Sequence, residues 1–214
     1  FDTACIFEIE TCLNIGASPD RIAFGNTVKK ARDIAKAHDY GIDLFAFDSR
    51  AELSKLKTEA PGASVFCRIF MDGAGADWPL SRKFGCEPDL AVELLCDAAE
   101  SGLKPAGVSF HVGSQQRNLG QWDFAVERAA MVFSTLGARG IELELMNIGG
   151  GFPAQYRQDI EPLQNYGEAI RAAIVKHFGN RPPRVIAEPG RSIAGDAGIL
   201  QTEIVLVAEK SREP

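Results

Sequence analysis

The sequence of 214 residues predicts an α/β protein of the (β/α)8, or TIM, barrel class. Short runs rich in β-branched and aromatic residues alternate with longer amphipathic stretches, which is typical of parallel strands joined by crossover helices. Seven strands are predicted. An open doubly wound sheet can hold any number of strands, whereas a barrel needs eight, so this pattern favours a barrel that lacks its first unit.

The predicted strands are Phe1–Asp2, Arg21–Phe24, Leu44–Phe47, Val65–Phe70, Gly107–Val112, Leu143–Ile148 and Arg184–Ala187. Phe1–Asp2 is taken as the end of a strand because an amphipathic run follows it directly. Gly198–Val207 is predicted as one more strand, with no helix after it. We therefore expect an incomplete barrel over residues 1–197 and, over residues 198–214, a strand that leads toward a C-terminal β-domain missing from this chain.

Helix ends are marked by local signals. Ser49 and Glu52 form a Ser-x-x-Glu capping box, and Pro88-Asp89 precedes an apolar helical face. Glycines that can adopt a left-handed conformation are expected to end four helices. These glycines are Gly16, Gly41, Gly102 and Gly179.

Composition excludes several function classes. The 23 basic and 29 acidic residues give a net charge of −6 without a run of five like charges, so no nucleic acid or anionic membrane is expected as a partner. No segment approaches the roughly 20 apolar residues of a membrane helix. Five cysteines without a Cys-x-x-Cys pair argue against a disulfide framework and a zinc site, and favour a reducing cytoplasm.

The residues that follow the strands are the candidates for chemistry, because a parallel barrel binds its ligands at the C-terminal ends of its strands. His111 and Ser114 follow one strand, although a lone histidine there is often structural. Gly149, Gly150 and Gly151 follow the next, where glycines let backbone N–H groups approach an anion. A tight turn without a ligand is the alternative for these glycines.

Glu188-Pro189-Gly190-Arg191 follows the last barrel strand and combines a carboxylate, an accessible amide and a guanidinium. A phosphate site beside a carboxylate and an imidazole favours a phosphorylated aromatic cofactor, for which pyridoxal 5′-phosphate is the candidate. Glu188 would pair with the pyridine nitrogen and His111 would stack on the ring. The predicted phosphate ligands are Ser114, Gly151, Gly190 and Arg191, and Gly150 is also expected to bind the cofactor.

Five motifs in order resemble the fold-type III pyridoxal-phosphate decarboxylases, the ornithine/lysine/diaminopimelate decarboxylase family. They are Phe1-Asp2-Thr3-Ala4, Ser81-Arg82-Lys83-Phe84-Gly85, Val108-Ser109-Phe110-His111-Val112-Gly113-Ser114, Asn147-Ile148-Gly149-Gly150-Gly151-Phe152-Pro153 and Ile186-Ala187-Glu188-Pro189-Gly190-Arg191. Phe-Pro after the glycines is closer to the ornithine/lysine branch than to diaminopimelate decarboxylase, where leucine usually follows.

The resemblance implies a pyridoxal-phosphate-binding barrel, a C-terminal β-domain and a cytoplasmic homodimer with its active sites at the subunit interface. It implies decarboxylation of a basic amino acid, with L-ornithine giving putrescine in polyamine biosynthesis as the leading hypothesis. Besides His111 and the ligands above, it places Asp2 and Arg68 beneath the cofactor, where they could form an ion pair. It also places Lys83 at the dimer interface.

The sequence also departs from the family. The family's Schiff-base lysine, the cysteine that protonates the product and the acidic residues that bind the distal amine have no counterpart in these 214 residues. The chain alone is therefore expected to be inactive. No second histidine or carboxylate stands at ligand spacing from His111, so no metal is expected. Trp78, in a loop over residues 72–79 of unassigned role, and Trp122 are expected to be packing residues.

Three alternatives stay open. The substrate could be lysine, arginine or diaminopimelate. A non-catalytic protein resembling the antizyme inhibitors would keep the fold and bind a protein partner, but such a protein would be expected to lose part of the cofactor site. A generic phosphate-binding barrel enzyme explains the glycines, but not Glu188 together with His111.

Overall fold

The computed structural model describes residues 1–78, 83–156 and 158–209. It contains a parallel seven-stranded sheet and a separate antiparallel pair of short strands. The strands are β1 (Asp2–Thr3), β2 (Ala23–Phe24), β3 (Leu44–Phe47), β4 (Ser64–Arg68), β5 (Ala76–Trp78), β6 (Lys104–Ser109), β7 (Ser114–Gln116), β8 (Leu145–Asn147) and β9 (Arg184–Ile186).

Helices connect the strands of the sheet. They are α1 (Ile6–Asn14), α2 (Ala31–Asp39), α3 (Arg50–Glu59), α4 (Pro88–Glu100), α5 (Gly120–Gly137), α6 (Leu163–Phe178) and the short α7 (Arg191–Ala194), with a 3-10 turn at Pro19–Arg21. The sheet order is β1-β2-β3-β4-β6-β8-β9, and every pair is parallel. The sheet is curled and covered by helices, as predicted for a TIM barrel.

All seven predicted barrel strands are present, each within a few residues of its predicted bounds. The strand predicted over Gly107–Val112 ends at Ser109, so His111 lies beyond the strand. The pair β5 and β7 was not predicted, because three-residue strands carry too little alternation to be recognised. The strand predicted over Gly198–Val207 is not formed in the described part of this chain. Described residues 198–209 form neither helix nor strand and are exposed, since no partner strand pairs with them.

The predicted helix ends are confirmed. The Ser49 Oγ accepts a hydrogen bond from the Glu52 N–H at 3.3 Å, and α4 begins at Pro88. The Glu52 carboxylate binds Lys29 and Lys55 instead of completing the capping box. Gly16, Gly41, Gly102 and Gly179 all have positive φ.

The main hydrophobic core lies between the sheet and its helices. On the inner face of the sheet, Ala46, Phe66 and Leu145 form a smaller buried cluster. Trp122 is fully buried, and its ring stacks on Phe152 with 5.3 Å between centroids, which confirms a packing role. Over the described parts of the chain, no helix combines the length and the apolar character needed to cross a bilayer.

The strands β6 and β8 approach each other closely at Gly107. A Cβ at this position would lie 1.8 Å from the Leu145 carbonyl oxygen, and Gly107 pairs with Leu145 in the sheet. Because β6 leads to His111 and β8 leads to the glycine loop, this contact fixes the distance between two parts of the predicted site.

We predict that Gly107→Ala lowers the melting temperature by more than 10 °C or prevents folding, because the added methyl group forces β6 and β8 apart. Gly167→Ala is the matched control. Gly167 lies within α6, where an added Cβ meets no atom within 4 Å, so this substitution should leave stability unchanged or raise it by up to about 1 kcal/mol. Equal melting temperatures for the two variants would contradict the close-approach argument.

Candidate functional site

The predicted site residues lie where strands of the sheet end. Asp2 lies on β1, Arg68 ends β4, and His111 and Glu188 follow β6 and β9. The curled sheet brings these elements together. The negative charge of Glu188 acts on both Asp2 and Arg68, and the charge of Arg68 acts on His111.

The glycine loop after β8 is shaped by close backbone contacts. Gly149 and Gly151 have φ of 63° and 100°, and a Cβ on them would lie 2.1 Å from the Phe110 oxygen and 2.6 Å from the Gly113 oxygen. A Cβ on Gly150 would lie 2.7 Å from the Glu188 oxygen and 3.2 Å from the His111 Nε2. The tight-turn explanation thus holds in part, since the fold itself requires these glycines. They also leave a side-chain-free surface beside His111 and Glu188.

Asn147 positions the Glu188 carboxylate. Its Nδ2 donates a hydrogen bond to Glu188 Oε1 at 2.5 Å, and its Oδ1 accepts one from the Gly149 N–H at 2.9 Å. The Glu188 N–H in turn donates to the Gly149 oxygen at 2.9 Å. Asn147 had no role in the sequence analysis. Its place at the end of β8, two residues before Gly149, is the signal that could have identified it.

His111 is neutral at physiological pH. Burial of the imidazole, followed by the positive charge of Arg68, lowers the pKa of His111 to about 4. The Nδ1 accepts a hydrogen bond from the Gly113 N–H at 3.0 Å, which leaves the proton on Nε2. A neutral ring edged by glycine is suited to stacking against a flat ligand.

Asp2 is close to the Gly25 backbone, where a Cβ would lie 1.8 Å from Asp2 Oδ1. The residue as a whole is exposed, but protein atoms around its carboxyl group disfavour the charged form. This desolvation and the negative charge of Glu188 raise the pKa of Asp2 to about 7.

Arg68 stacks its guanidinium on the Phe84 ring at 5.0 Å, and burial lowers the pKa of Arg68. The ion pair expected between Asp2 and Arg68 is wrong: among the described residues, no carboxylate lies within 4 Å of the Arg68 nitrogens. The two groups interact only through their longer-range charges. The ring of Phe84 holds the guanidinium in place of a carboxylate.

The predicted phosphate ligands are linked by contacts of the short β5–β7 pair. Ser114 pairs with Trp78, whose ring lies under the Arg191 guanidinium, and the Gln116 N–H donates to the Gly151 oxygen at 2.9 Å. A Cβ on Gly190 would meet no atom within 4 Å, and among the described residues its N–H has no backbone acceptor, so this amide is available to a ligand. Trp78 is 55% exposed, so its predicted role in packing is wrong.

A cavity of about 620 Å³ opens along the inner side of β1 and β9, a size suited to a small molecule. Asp2, Phe66, Asn147, Glu188 and Gly190 are among its lining residues. Within the described parts of the chain, no group of three or more histidine, cysteine or acidic residues is arranged to hold a metal ion. In the motif around Lys83, Ser81 and Arg82 lie outside the described residues.

Residues 1–195 match the family described as the pyridoxal-binding domain of pyridoxal-dependent decarboxylases. The chain belongs to this family. Its sequence is 33% identical over 210 residues to the ornithine decarboxylase of Caenorhabditis elegans, covering 98% of this chain and 49% of that protein. It is 33% identical over 215 residues to the lysine/ornithine decarboxylase of Selenomonas ruminantium, covering 100% of this chain and 54% of that one.

Among solved structures, the arginine decarboxylase of Paramecium bursaria Chlorella virus, bound to agmatine, superimposes with a TM-score of 0.82 at 34% identity. The match covers 90% of this decarboxylase-family chain and 51% of the viral chain. These findings confirm the family resemblance and the barrel fold. The chain spans about half the length of the curated relatives it matches.

The residues of this decarboxylase-family domain fit pyridoxal phosphate. The surface beside Gly150, which a Cβ would fill, lies between the neutral His111 ring and the Glu188 segment. Such a surface accommodates a flat ring with a carboxylate available for its nitrogen. The open amide of Gly190 and the cation of Arg191 suit a phosphate group.

We predict that His111→Asn removes an acid-sensitive part of the stability of the cofactor-free protein. Between pH 6.5 and about 4 the unfolded chain binds a proton at His111 that the folded chain does not, so the free energy of unfolding falls as the pH falls. The loss is on the order of 3 kcal/mol by pH 4. Denaturant unfolding across this range should show a shallower pH dependence for the variant, while His38→Asn, outside the site, should follow the wild type. Parallel curves for wild type and His111→Asn would contradict the prediction.

We predict that Asn147→Asp destabilises the protein by about 1–3 kcal/mol at pH 8 and by less at pH 5, because two carboxylates would then face each other until one is protonated. Asn165→Asp is the matched control. Asn165 also donates a hydrogen bond to a glutamate, Glu161, but at an exposed site where water screens the repulsion. A similar pH dependence for both variants, measured by thermal unfolding, would count against a positioning role for Asn147.

Proposed function

We propose that the protein is a pyridoxal-phosphate-dependent decarboxylase of basic amino acids, with L-ornithine as substrate and putrescine as product. This proposal rests mainly on the Glu188 carboxylate. A hydrogen bond from Asn147 holds it beside the glycine loop and the neutral His111. A protein that only binds a phosphate group has no use for this arrangement. The combination instead matches the needs of a cofactor with a basic ring nitrogen.

When bound, pyridoxal phosphate supplies a protonated ring that accepts the electron pair released as carbon dioxide leaves. Glu188 keeps the proton on the ring nitrogen by placing a negative charge beside it. Asn147 prevents this carboxylate from turning away. His111 offers an uncharged ring face, which adds no positive charge in competition with that proton.

The other end of the site binds the phosphate group. Ser114 offers a hydroxyl, and Gly150, Gly151 and Gly190 offer backbone N–H groups. Arg191 adds a charged fork of donors. These ligands fix the cofactor at its edge, so that its reacting atoms keep one position during turnover.

Asp2 and Arg68 adjust charge on the side of the site formed by β1 and β4. With a pKa of about 7, the Asp2 carboxyl group can release or accept a proton at neutral pH. Arg68 brings a fixed positive charge that opposes the negative charge of Glu188. We infer that both groups contact the cofactor or substrate during the reaction.

We propose ornithine as the substrate because the Gly-Gly-Gly-Phe-Pro motif resembles the ornithine/lysine branch of the family. The similarity to an ornithine decarboxylase and a lysine/ornithine decarboxylase supports this choice. Lysine is the second candidate, on the strength of the Selenomonas relative. The intact cofactor ligands disfavour a non-catalytic protein resembling the antizyme inhibitors.

We further propose that the barrel over residues 1–197 works with a β-domain that begins near residue 198. The Schiff-base lysine and the residues that recognise the distal amine would come from parts of the protein outside this sequence. The complete protein would be a cytoplasmic homodimer that serves polyamine biosynthesis. Its exposed apolar segment, Ile199 to Val207, would pair within the β-domain.

The test is release of carbon dioxide by the full-length protein with pyridoxal phosphate. L-ornithine should give the highest kcat/KM, above L-lysine, L-arginine and meso-diaminopimelate, and the 214-residue chain alone should give no product. Preference for lysine would overturn the substrate assignment and leave the reaction class intact. Absence of product from all four substrates would overturn the reaction class.

We predict that Glu188→Ala and Arg191→Ala each weaken pyridoxal phosphate binding to the full-length protein by about tenfold to a hundredfold, because each removes a charged partner. Equilibrium dialysis followed by cofactor absorbance gives the dissociation constants. Glu168→Ala and Arg171→Ala, on the exposed face of α6, are the charge-matched controls and should bind normally. Normal cofactor binding by both site variants would overturn the site assignment.

A further inference from the structure

Trp78 has a large exposed ring that the hydrophobic core does not explain. It ends β5, its side chain is 55% exposed, and the centre of its ring lies 4.9 Å from the Arg191 guanidinium carbon. A tryptophan face attracts a guanidinium through the negative charge density of its ring. The exposed ring therefore holds a specific cation.

The backbone of Trp78 is fixed against the predicted phosphate site. In the antiparallel pair β5–β7, Trp78 lies opposite Ser114, and Ala76 lies opposite Gln116. A Cβ on Gly113 would lie 2.5 Å from the Ala76 Cβ, which shows how closely the two segments pack. Trp78 thus contacts both predicted phosphate ligands: its backbone pairs with Ser114, and its ring stacks on Arg191.

Further contacts hold β5 and β7 in place. Gln116 donates from its Nε2 to the Ala74 oxygen at 3.0 Å and to the Val112 oxygen at 2.7 Å. Its backbone N–H donates to the Gly151 oxygen at 2.9 Å. On the outer side, Arg117 pairs with Asp77 at 2.8 Å. These contacts hold the backbone on the N-terminal side of Trp78, whose ring lies 4.9 Å from the Arg191 guanidinium carbon.

Arg191 keeps its hydrogen-bond donors available. Within the described parts of the chain, its guanidinium forms no ion pair within 4 Å, and it stacks on the Trp78 ring. Stacking occupies the face of the guanidinium and leaves the N–H groups at its edge free. The ring therefore restricts the arginine without competing for the atoms that would bind an anion.

We propose that Trp78 is a positioning residue that orients Arg191 toward the phosphate group of the cofactor. This inference rests on the proposed function. Trp78 acts through Arg191 and does not itself contact the reacting atoms. Its effect should appear only for ligands that carry the phosphate group.

The experiment compares dissociation constants of the full-length protein for pyridoxal phosphate and for pyridoxal, which lacks the phosphate group. Trp78→Leu should weaken pyridoxal phosphate binding by about three- to thirtyfold, the range expected for loss of a cation–π contact, and change pyridoxal binding by less than about twofold. Inorganic phosphate should also compete less well against pyridoxal phosphate in this variant. Trp78→Phe keeps an aromatic face and should recover most of the affinity.

Phe124→Leu is the matched control. Phe124 is also exposed and stacks on an arginine, Arg128, at 5.5 Å, but on α5. This variant should bind both ligands like the wild type. Because Trp78 is largely exposed, Trp78→Leu should fold, and a melting temperature within a few degrees of the wild type verifies it.

Two different failures are distinguishable. If Trp78→Leu binds both ligands like the wild type, or weakens both equally, the role of Trp78 is overturned, while the loss caused by Arg191→Ala still supports the proposed function. If the wild type binds pyridoxal phosphate no better than pyridoxal and Arg191→Ala has no effect, the phosphate site itself is overturned, and the proposed function with it.

Discussion

The close backbone approach of β6 and β8 is the constraint on which the site depends. Gly107 lets the two strands pair without a side chain between them, and beyond the strand ends Gly149 and Gly151 let the following loops touch. A Cβ at any of these positions would lie 1.8 to 2.6 Å from a backbone oxygen and would force the two segments apart. The same absence of side chains that packs the sheet creates the surface for a flat ligand. Under the proposed function, packing and ligand recognition therefore require glycine at the same positions.

The site combines a negative, a positive and a neutral group, and a neighbouring residue holds each of the two charged ones. Glu188 carries a negative charge that Asn147 holds in place, and Arg68 carries a positive charge that an aromatic ring, Phe84, holds in place. Between them, His111 is neutral because burial and Arg68 both disfavour its protonation. Arg68 and Arg191 are thus oriented by the rings of Phe84 and Trp78, whereas carboxylates orient many arginines in proteins. Stacking on a ring leaves the N–H groups at the edges of the Arg68 and Arg191 guanidinium groups available to an anion.

Much of the fold could be predicted from the sequence, because long helices and buried strands carry strong periodic signals. His111, Glu188 and Arg191 could be found as chemically distinctive residues at strand ends. Asn147 was missed because an amide gains its role only through the residue it faces, Glu188, which is 41 positions away. The ion pair expected between Asp2 and Arg68 does not form because β2 and β3 lie between their strands, β1 and β4, in the sheet. Trp78 was misassigned because the three-residue pair β5–β7 leaves no periodic trace.

The site draws on both edges of the sheet. Asp2 belongs to β1 and Glu188 follows β9, the first and last strands in the order, so within this sheet the two groups meet only after every intervening strand has paired in register. Most of the backbone must therefore be organised before these groups meet, which makes the site a late product of folding. A ligand that binds only this completed state shifts the equilibrium toward the folded chain. At a ligand concentration of 100 times its Kd, the free energy of unfolding rises by about 2.7 kcal/mol, so the bound cofactor would stabilise the whole sheet.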